Sequence, residues 1–324
     1  MDCAVILGAG FSHVAGLPLA GQMFDVKPFV TSEGALRRFD EVLLAWDKWQ
    51  ESHPDKGPEQ FLEHLWHSLT EGFLWAYAVE LLGAALATPQ SDARMSLRYG
   101  QTILRPAWCS AHQRFWDRVL RTFSVRGVVT TNYDVLIERG LRHKRMQRPP
   151  RPGIHYGGIP HPQLLHGLAA PWTVEKPQRE VQLQGSVPLY KLHGSLNWSK
   201  EGSCLKMYLD LRPAFRHGGD AAIVPPMPEK EVPPWLKPVW RDAEACLAQS
   251  PVWLVCGYSM PRYDHTVREM LARSARAGQL SKLIIMDPAS TALASEWTTI
   301  TACNDVHATA GLPEGLDYLP GQLW

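Results

Sequence analysis

The chain has 324 residues, of which 45% are hydrophobic and 20% are charged, and its formal net charge is +1. This length can bury a sizeable core in one large domain or two, and the composition is that of a globular protein. A net charge so close to zero argues against direct binding to nucleic acid. The chain has no run of about 18 apolar residues that would form a membrane span.

The N-terminus leads directly into an apolar stretch. Residues 3–8 have no basic region before them and no small-residue cleavage site after them, so they predict a buried strand and not a signal peptide. We therefore expect a cytoplasmic protein. The six cysteines contain no Cys-x-x-Cys pair, so we expect no structural zinc site and no bound metal.

Helical and strand-like patterns alternate after this first strand. In chain order the predicted elements are helices over 34–50, 58–87 and 109–123, a strand over 125–130, a helix over 133–141, a long loop or irregular module over 146–188, a strand over 188–193, a helix over 235–249, a strand over 252–256, a helix over 262–277, a strand over 282–286, a helix over 289–297 and a strand over 305–309. A basic run at 139–151 lacks interleaved aromatic residues and indicates a solvated loop.

This alternation predicts an α/β fold with a Rossmann-like, doubly wound and mostly parallel sheet. We interpret residues 1–324 as a single domain. A helical insertion is expected at about 34–124, and an irregular segment rich in Pro, Gly and His is expected at about 146–188.

A glycine-containing loop at residues 8–12, Gly-Ala-Gly-Phe-Ser, follows the first strand. Glycines at this place let backbone N–H groups approach a pyrophosphate closely. The full dinucleotide motif requires a third glycine at position 13, where this chain has His13. A plain tight turn explains the same residues, so both interpretations stay open.

Polar residues follow two other predicted strands, at the edge where ligands bind in an open α/β sheet. Asn132 and Asp134 follow the strand over 125–130. A helix N-cap by Asn132 or Thr131, with Asp134 near the helix dipole, also explains them. His193 ends the strand over 188–193 and is followed by Gly194, which is a reasonable position for a general base.

The last βαβ unit offers two further candidates. Gly257, Tyr258 and Ser259 follow its first strand, and Asp287 follows its second. An acidic side chain at such a position can bind a ribose hydroxyl. Asp287 precedes Pro288, however, and the pair is also typical of a turn.

Taken in order, these motifs resemble those of the sirtuin superfamily, and more closely its bacterial sirtuin-like NAD-hydrolase branch, which acts in antiphage defence. Residues 8–12 resemble the Gly-Ala-Gly-x-Ser phosphate loop, and residues 16–18 resemble the Gly-Ile-Pro after it. Residues 130–134 resemble Thr-Gln-Asn-Ile-Asp, which frames the nicotinamide end of NAD, and residues 192–195 resemble the segment with the catalytic histidine. Residues 257–259 are similar to Gly-Thr-Ser, and the stretch 257–264 resembles the sirtuin-like branch more specifically.

The resemblance implies an NAD+ glycohydrolase that releases nicotinamide and ADP-ribose, with Asn132 and His193 as catalytic residues and no metal. It also implies control by homo-oligomerisation or by a separate sensor or ATPase subunit. Together with the strand-end reasoning, it gives as residues expected to contact NAD Gly8, Ala9, Gly10, Phe11, Ser12, Leu17, Pro18, Thr131, Asp134, Gly257, Tyr258, Ser259 and Asp287.

The chain departs from sirtuin deacylases in three ways. Leu19-Ala20-Gly21 stands where they carry Asp-Phe-Arg, the four zinc cysteines are absent, and Asn132 and His193 are 61 positions apart. These departures count against peptide deacylation. Two alternatives stay open: an NAD-dependent protein deacylase or ADP-ribosyltransferase, and a non-catalytic sensor or assembly subunit that binds NAD or ADP-ribose.

Overall fold

The structure is a computed structural model. It describes residues 1–24, 33–68, 72–87, 96–98, 101–103, 110–141, 153–159, 172–173, 186–201, 204–207, 220–224, 231–261 and 264–319. Most of the basic run at 139–151 and most of the irregular segment at 146–188 lie outside the described residues.

Seven parallel strands form the main sheet. They are β1 (Asp2–Leu7), β4 (Ser124–Thr130), β5 (Ile154–Tyr156), β7 (Val187–Lys191), β11 (Val252–Cys256), β12 (Lys282–Met286) and β13 (Val306–Thr309). Their spatial order is β13-β12-β11-β1-β4-β7-β5. β4, β7 and β5 lie on one side of β1, and β11, β12 and β13 lie on the other, so the fold is α/β, doubly wound and Rossmann-like, and the predicted class is confirmed.

The central strands are buried along almost their whole length. All of β11 and residues 3–7 of β1 are buried, which explains their uninterrupted apolar sequences. β1 pairs with β11 on one side and with β4 on the other. Because these three strands are parallel neighbours, the loops that follow them leave the same edge of the sheet side by side.

The described helices are α1 (Ala9–His13), α2 (Glu33–Ser52), α3 (Pro58–His67), α4 (Gly72–Ala87), α5 (Ser110–Thr122), α6 (Leu136–Leu141), α7 (Lys237–Ala248), α8 (His265–Ala277) and α9 (Ser290–Thr301). The prediction of one helix over 58–87 is wrong, because Ser68 takes an extended backbone conformation directly after α3. Serine and glycine at 68 and 72 both disfavour a helix interior. Within the described ranges, no helix has the length and apolarity that crossing a membrane would require.

Apolar side chains form two clusters. The larger surrounds the main sheet and includes Phe115 and Trp116 of α5. The second joins α2, α3 and α4 to Tyr133, Val135 and Leu196. These three helices therefore pack against the loop that follows β4, beside the carboxyl edge of the sheet. The division into a catalytic domain with an insertion stays a prediction.

The sequence patterns miss two smaller sheets. The first is antiparallel, in the order β10-β8-β9-β6, with strands β6 (Trp172–Thr173), β8 (Gly194–Glu201), β9 (Cys204–Met207) and β10 (Asp220–Ile223). The second is a hairpin of β2 (Ser96–Arg98) and β3 (Gln101–Ile103). Strand β8 is hidden because Ser195, Asn197 and Ser199 are buried together with Leu196 and Trp198, so polar and apolar residues do not separate by face.

The prediction of a loop or irregular module over 146–188 needs correction at two strands. Strand β5 lies inside this segment and pairs in parallel with β7 at the edge of the main sheet, and β6 lies inside it and pairs with β9. A strand of three residues is too short to give a recognisable alternation.

Candidate functional site

A cavity of about 680 Å³ lies at the carboxyl edge of the main sheet. Sites for small molecules are typically about 300–1,000 Å³. Of the residues that the sequence predicts to act in catalysis or to contact NAD, those that line the cavity are Ala9, Gly10, Ser12, Leu17, Pro18, Thr131, Asn132, Asp134, His193, Gly257, Tyr258, Ser259 and Asp287. Gly8 and Phe11 are not among its lining residues.

The glycines of the first loop pack against the loop after β11. Gly8 N–H donates to the Cys256 carbonyl at 3.1 Å, and Gly10 N–H donates to the Gly257 carbonyl at 2.9 Å. Gly257 has a φ of 63°, and a Cβ there would lie 2.2 Å from Phe11 N. The tight-turn interpretation therefore accounts for these two amides, which are not available to a phosphate.

Phe11 anchors the same loop to α5. Its ring stacks on His112 with a centroid distance of 4.0 Å, and the His112 Nε2–H donates to the Phe11 carbonyl at 2.6 Å. Burial lowers the pKa of His112. Phe11 is fully buried and is a core residue that fixes the loop, which explains why it lies behind the cavity wall.

A chain of hydrogen bonds joins the first loop to the loop after β4. Asn132 Nδ2 donates to Ser12 Oγ at 2.9 Å and to the Gly8 carbonyl at 2.8 Å. Ser12 Oγ in turn donates to Asp134 Oδ2 at 2.7 Å. The direction is fixed, because a carbonyl oxygen and a carboxylate can only accept. The Asn132 amide is thus held with both Nδ2 hydrogens directed into the protein, which leaves Oδ1 as its other polar atom.

Asp134 also starts the following helix. Its Oδ1 accepts a hydrogen bond from Leu136 N–H at 2.9 Å, so α6 begins at Leu136 and not at Tyr133. The capping interpretation is therefore wrong for Asn132 and Thr131, and Asp134, which we expected only to lie near the helix dipole, itself accepts from the first N–H of α6. One carboxylate both caps α6 and receives the Ser12 hydroxyl, so the loop has little freedom.

His193 faces an aspartate that the sequence reasoning does not identify. His193 Nε2 lies 3.6 Å from Asp264 Oδ1, and the two side chains are 5% and 4% exposed. This separation exceeds a direct hydrogen bond, and the two groups form an ion pair only when the imidazole carries a second proton. Tyr258 OH donates to Asp264 Oδ2 at 3.2 Å. The imidazole and the carboxylate both line the cavity.

The backbone around His193 is fixed by neighbouring elements. The His193 carbonyl accepts from Val224 N–H at 2.8 Å, and the Leu192 carbonyl accepts from Trp240 Nε1 at 2.8 Å. His193 lies in the turn between β7 and β8, and Gly194 allows that turn with a φ of 77°. A Cβ on Gly194 would lie 2.0 Å from the Ala222 carbonyl oxygen, so only glycine fits.

Another part of the lining comes from the segment between β1 and β4. It consists of Met23, Glu59 of α3, and Leu82 and Leu86 of α4, and none of them is predicted from the sequence. Leu82 and Leu86 have the spacing of core residues on a helix, and this pattern does not by itself indicate a place in a cavity lining. The sequence points only weakly to Asp264, which is the last residue of the motif at 257–264. That Asp264 lies beside His193 depends on the tertiary structure.

The charge of the lining is one-sided. Among the described lining residues there are four carboxylates, Glu59, Asp134, Asp264 and Asp287, and no Lys or Arg. Such a lining favours a ligand that carries a positive charge at its reacting end. Within the described part of the chain, no group of three or more His, Cys, Asp or Glu side chains is arranged to hold a metal ion.

No protein-family model and no curated protein matches the sequence. Among solved structures, the chain is similar to a Sir2 protein in complex with the inhibitor EX-527, 2′-O-acetyl-ADP-ribose and a deacetylated p53 peptide, with 15% identity, coverage of 98% of this chain and 90% of that chain, and a TM-score of 0.42. It is also similar to a structure that concerns sirtuin substrate affinity, with 14% identity, coverage of 98% and 91%, and a TM-score of 0.42. Similarity at this level does not assign a family to the chain.

Proposed function

We propose that the chain is an NAD+ glycohydrolase that cleaves the bond between nicotinamide and ribose to give nicotinamide and ADP-ribose. The observation that carries this proposal is the presence of Ser12, Asn132 and His193 in the lining of one cavity of about 680 Å³. The motif resemblance supports NAD as the substrate, and the acidic lining supports a ligand with a pyridinium cation.

Departure of the nicotinamide leaving group requires little catalytic assistance. As the ribose C1′–N bond breaks, the pyridinium nitrogen takes the electron pair and departs as neutral nicotinamide, so no general acid is needed. The sugar becomes an oxocarbenium-like cation in the transition state. Water forms the new C1′–O bond and loses one proton, which gives ADP-ribose.

Each proposed role follows from a contact in the structure. Asn132 Nδ2 is engaged by Ser12 and Gly8, so Oδ1 is the atom that accepts a hydrogen bond from the attacking water or a ribose hydroxyl. His193 accepts the proton that the water or hydroxyl gives up. Asp264 orients the imidazole and stabilises the imidazolium that forms, since its carboxylate lies 3.6 Å from Nε2.

The remaining lining residues hold the ends of the dinucleotide. We assign the nicotinamide to the side near Asp134, and the diphosphate to the wall of Ala9 and Ser259, where the Ser259 side chain is exposed. We assign the adenosine ribose to Asp287, at the end of β12. Binding at these remote positions orients the reacting bond.

The biological context is also proposed. A protein that destroys NAD harms its own cell, so its activity must be controlled. We propose a cytoplasmic effector of bacterial antiphage defence that acts as a homo-oligomer or with a separate sensor or ATPase subunit. The support is the resemblance of the motifs at 8–12, 130–134 and 257–264 to the sirtuin-like branch.

The direct test incubates the purified chain with NAD and separates the products by chromatography. Wild type should release equal amounts of nicotinamide and ADP-ribose, and His193→Ala or Asn132→Ala should reduce turnover by at least about 100-fold. Because an activator can be missing in vitro, NAD is also measured in cells that express wild type or His193→Ala. Intact NAD in both settings, or equal turnover by both variants, contradicts the proposal. Nicotinamide release that requires an acylated peptide would instead indicate a deacylase.

A further inference from the structure

A lysine is completely buried beneath the loop after β4. Lys191 is the last residue of β7 and is 0% exposed. Its Nζ lies 3.0 Å from Glu138 Oε1 and 3.4 Å from the Tyr133 carbonyl oxygen, and it also donates to the Asp134 carbonyl. An ammonium group has three N–H donors, and these three acceptors match them.

The partners of Lys191 belong to a buried polar network. Tyr156 OH donates to Glu138 Oε1 at 3.0 Å and accepts from Asn197 Nδ2 at 2.8 Å. Ser195 Oγ lies 2.6 Å from Asn197 Oδ1 and 3.2 Å from the Tyr133 carbonyl. The network therefore begins and ends on the same loop. It joins that loop to α6, β5 and β8.

The two carbonyls that Lys191 holds directly follow Asn132 in the chain. We infer that Lys191 is a positioning residue, whose ammonium fixes the backbone of the loop so that Asn132 and Asp134 meet Ser12 in the geometry that the cavity presents. A displacement of about 1 Å in a catalytic group can cost about 100-fold in rate. The inference rests on the proposed function in one respect, because it assumes that this loop takes part in NAD cleavage.

Packing alone does not explain a lysine at this position. Methionine has a similar length and would fill the space without the cost of burying a charge. Replacing both members of a buried ion pair by apolar residues is often neutral or stabilising, whereas removing one member is strongly destabilising. What an apolar side chain cannot do is donate to two successive carbonyls of a turn, and this is the particular contribution of Lys191.

The experiment compares Lys191→Met, the double variant Lys191→Met with Glu138→Leu, and Lys282→Met as a matched control. Lys282 is in the same sheet and pairs with Asp305 at 3.5 Å, but both side chains are solvent-accessible. Three quantities are measured: kcat and KM for NAD, the melting temperature, and hydrogen exchange of the backbone amides.

Lys191→Met should lower both the melting temperature and kcat, the latter by about 10- to 100-fold. The double variant should recover melting temperature, since no buried carboxylate is left without its cation, while kcat stays low. The Asn132 and Leu136 amides should exchange faster in both, and those of β11 should not. Lys282→Met should match wild type.

Recovery of kcat together with stability in the double variant would show a merely structural role and overturn the inference. If the single variant does not fold, the double variant alone decides. If wild type cleaves no NAD, the proposed function fails but the inference is still tested. In that case, unchanged exchange at Asn132 and Leu136 in the double variant overturns it.

Discussion

Replacing Asp264 by asparagine tests whether the His193–Asp264 pair takes part in the reaction. Asparagine keeps the shape of the side chain and removes its charge. The main-chain bond from Arg268 N–H to the Asp264 carbonyl, 3.0 Å long, is unaffected, so α8 should still form. The change therefore acts on the charge next to the imidazole and on little else.

The size of the effect follows from the distance. Two unit charges separated by the observed 3.6 Å interact by about 4–5 kcal/mol at an effective dielectric constant near 20. The benefit arises only as His193 gains a proton, and water between the two groups screens part of it. We expect kcat to fall by about 100-fold, which corresponds to about 3 kcal/mol in the activation free energy.

The assay is steady-state release of nicotinamide by Asp264→Asn, with two comparisons. Tyr258→Phe removes only the hydroxyl that donates to Asp264 at 3.2 Å, so kcat should fall by less than about 10-fold. Asp242→Asn changes a partly exposed aspartate on α7 and should have no effect. A folded Asp264→Asn protein with the kcat of wild type would refute the assigned role.

Three further predictions concern the fold and the substrate. Gly257→Ala should lower the free energy of unfolding, measured in urea, by about 2 kcal/mol or more, because Gly257 has a φ of 63° and a Cβ there would lie 2.2 Å from Phe11 N. Gly21→Ala is the control and should leave the free energy of unfolding unchanged, because a Cβ on Gly21 has no neighbouring atom within 4 Å. Asp287→Asn should raise kcat/KM for NADP relative to NAD by about 5- to 10-fold, since the carboxylate no longer repels a 2′-phosphate, and an unchanged ratio would exclude Asp287 from that subsite. Burial lowers the pKa of His155 from 6.5 to about 4. As the pH falls, the unfolded state therefore binds a proton before the folded state does, and the free energy of unfolding should decrease between pH 6.5 and about pH 4. His155→Gln should make the free energy of unfolding less dependent on pH in denaturation curves, and an unchanged dependence would show that His155 is not its source.

The central strands of the sheet were predictable because they are buried on both faces. Val252–Cys256 and Lys282–Met286 read as apolar runs bounded by loops, and a parallel sheet requires this pattern. The edge strand Ile154–Tyr156 was not predictable, since three residues give no periodicity. The break between α3 and α4 falls at Ser68, in a stretch whose apolar spacing continues across the break.

Some residues of the candidate site could likewise be predicted from the sequence, and others could not. Asn132 and His193 were found because each follows a strand, and strand ends meet at one edge of the sheet. Asp264 was missed because its contact with His193 is made between residues 71 positions apart in the sequence. The sequence alone does not indicate that Lys191 is buried, because its burial depends on Glu138 and Tyr156 from other elements.

The most direct test of NAD binding in this cavity is a crystal structure of Asn132→Ala with NAD. This variant should bind the dinucleotide and cleave it slowly. The proposal predicts intact NAD along the edge formed by the loops after β1, β4 and β11, with the C1′–N bond beside His193 and the ribose of adenosine near Asp287. NAD bound at another surface, or a crystal soaked at saturating NAD that shows no dinucleotide in this cavity, would contradict it.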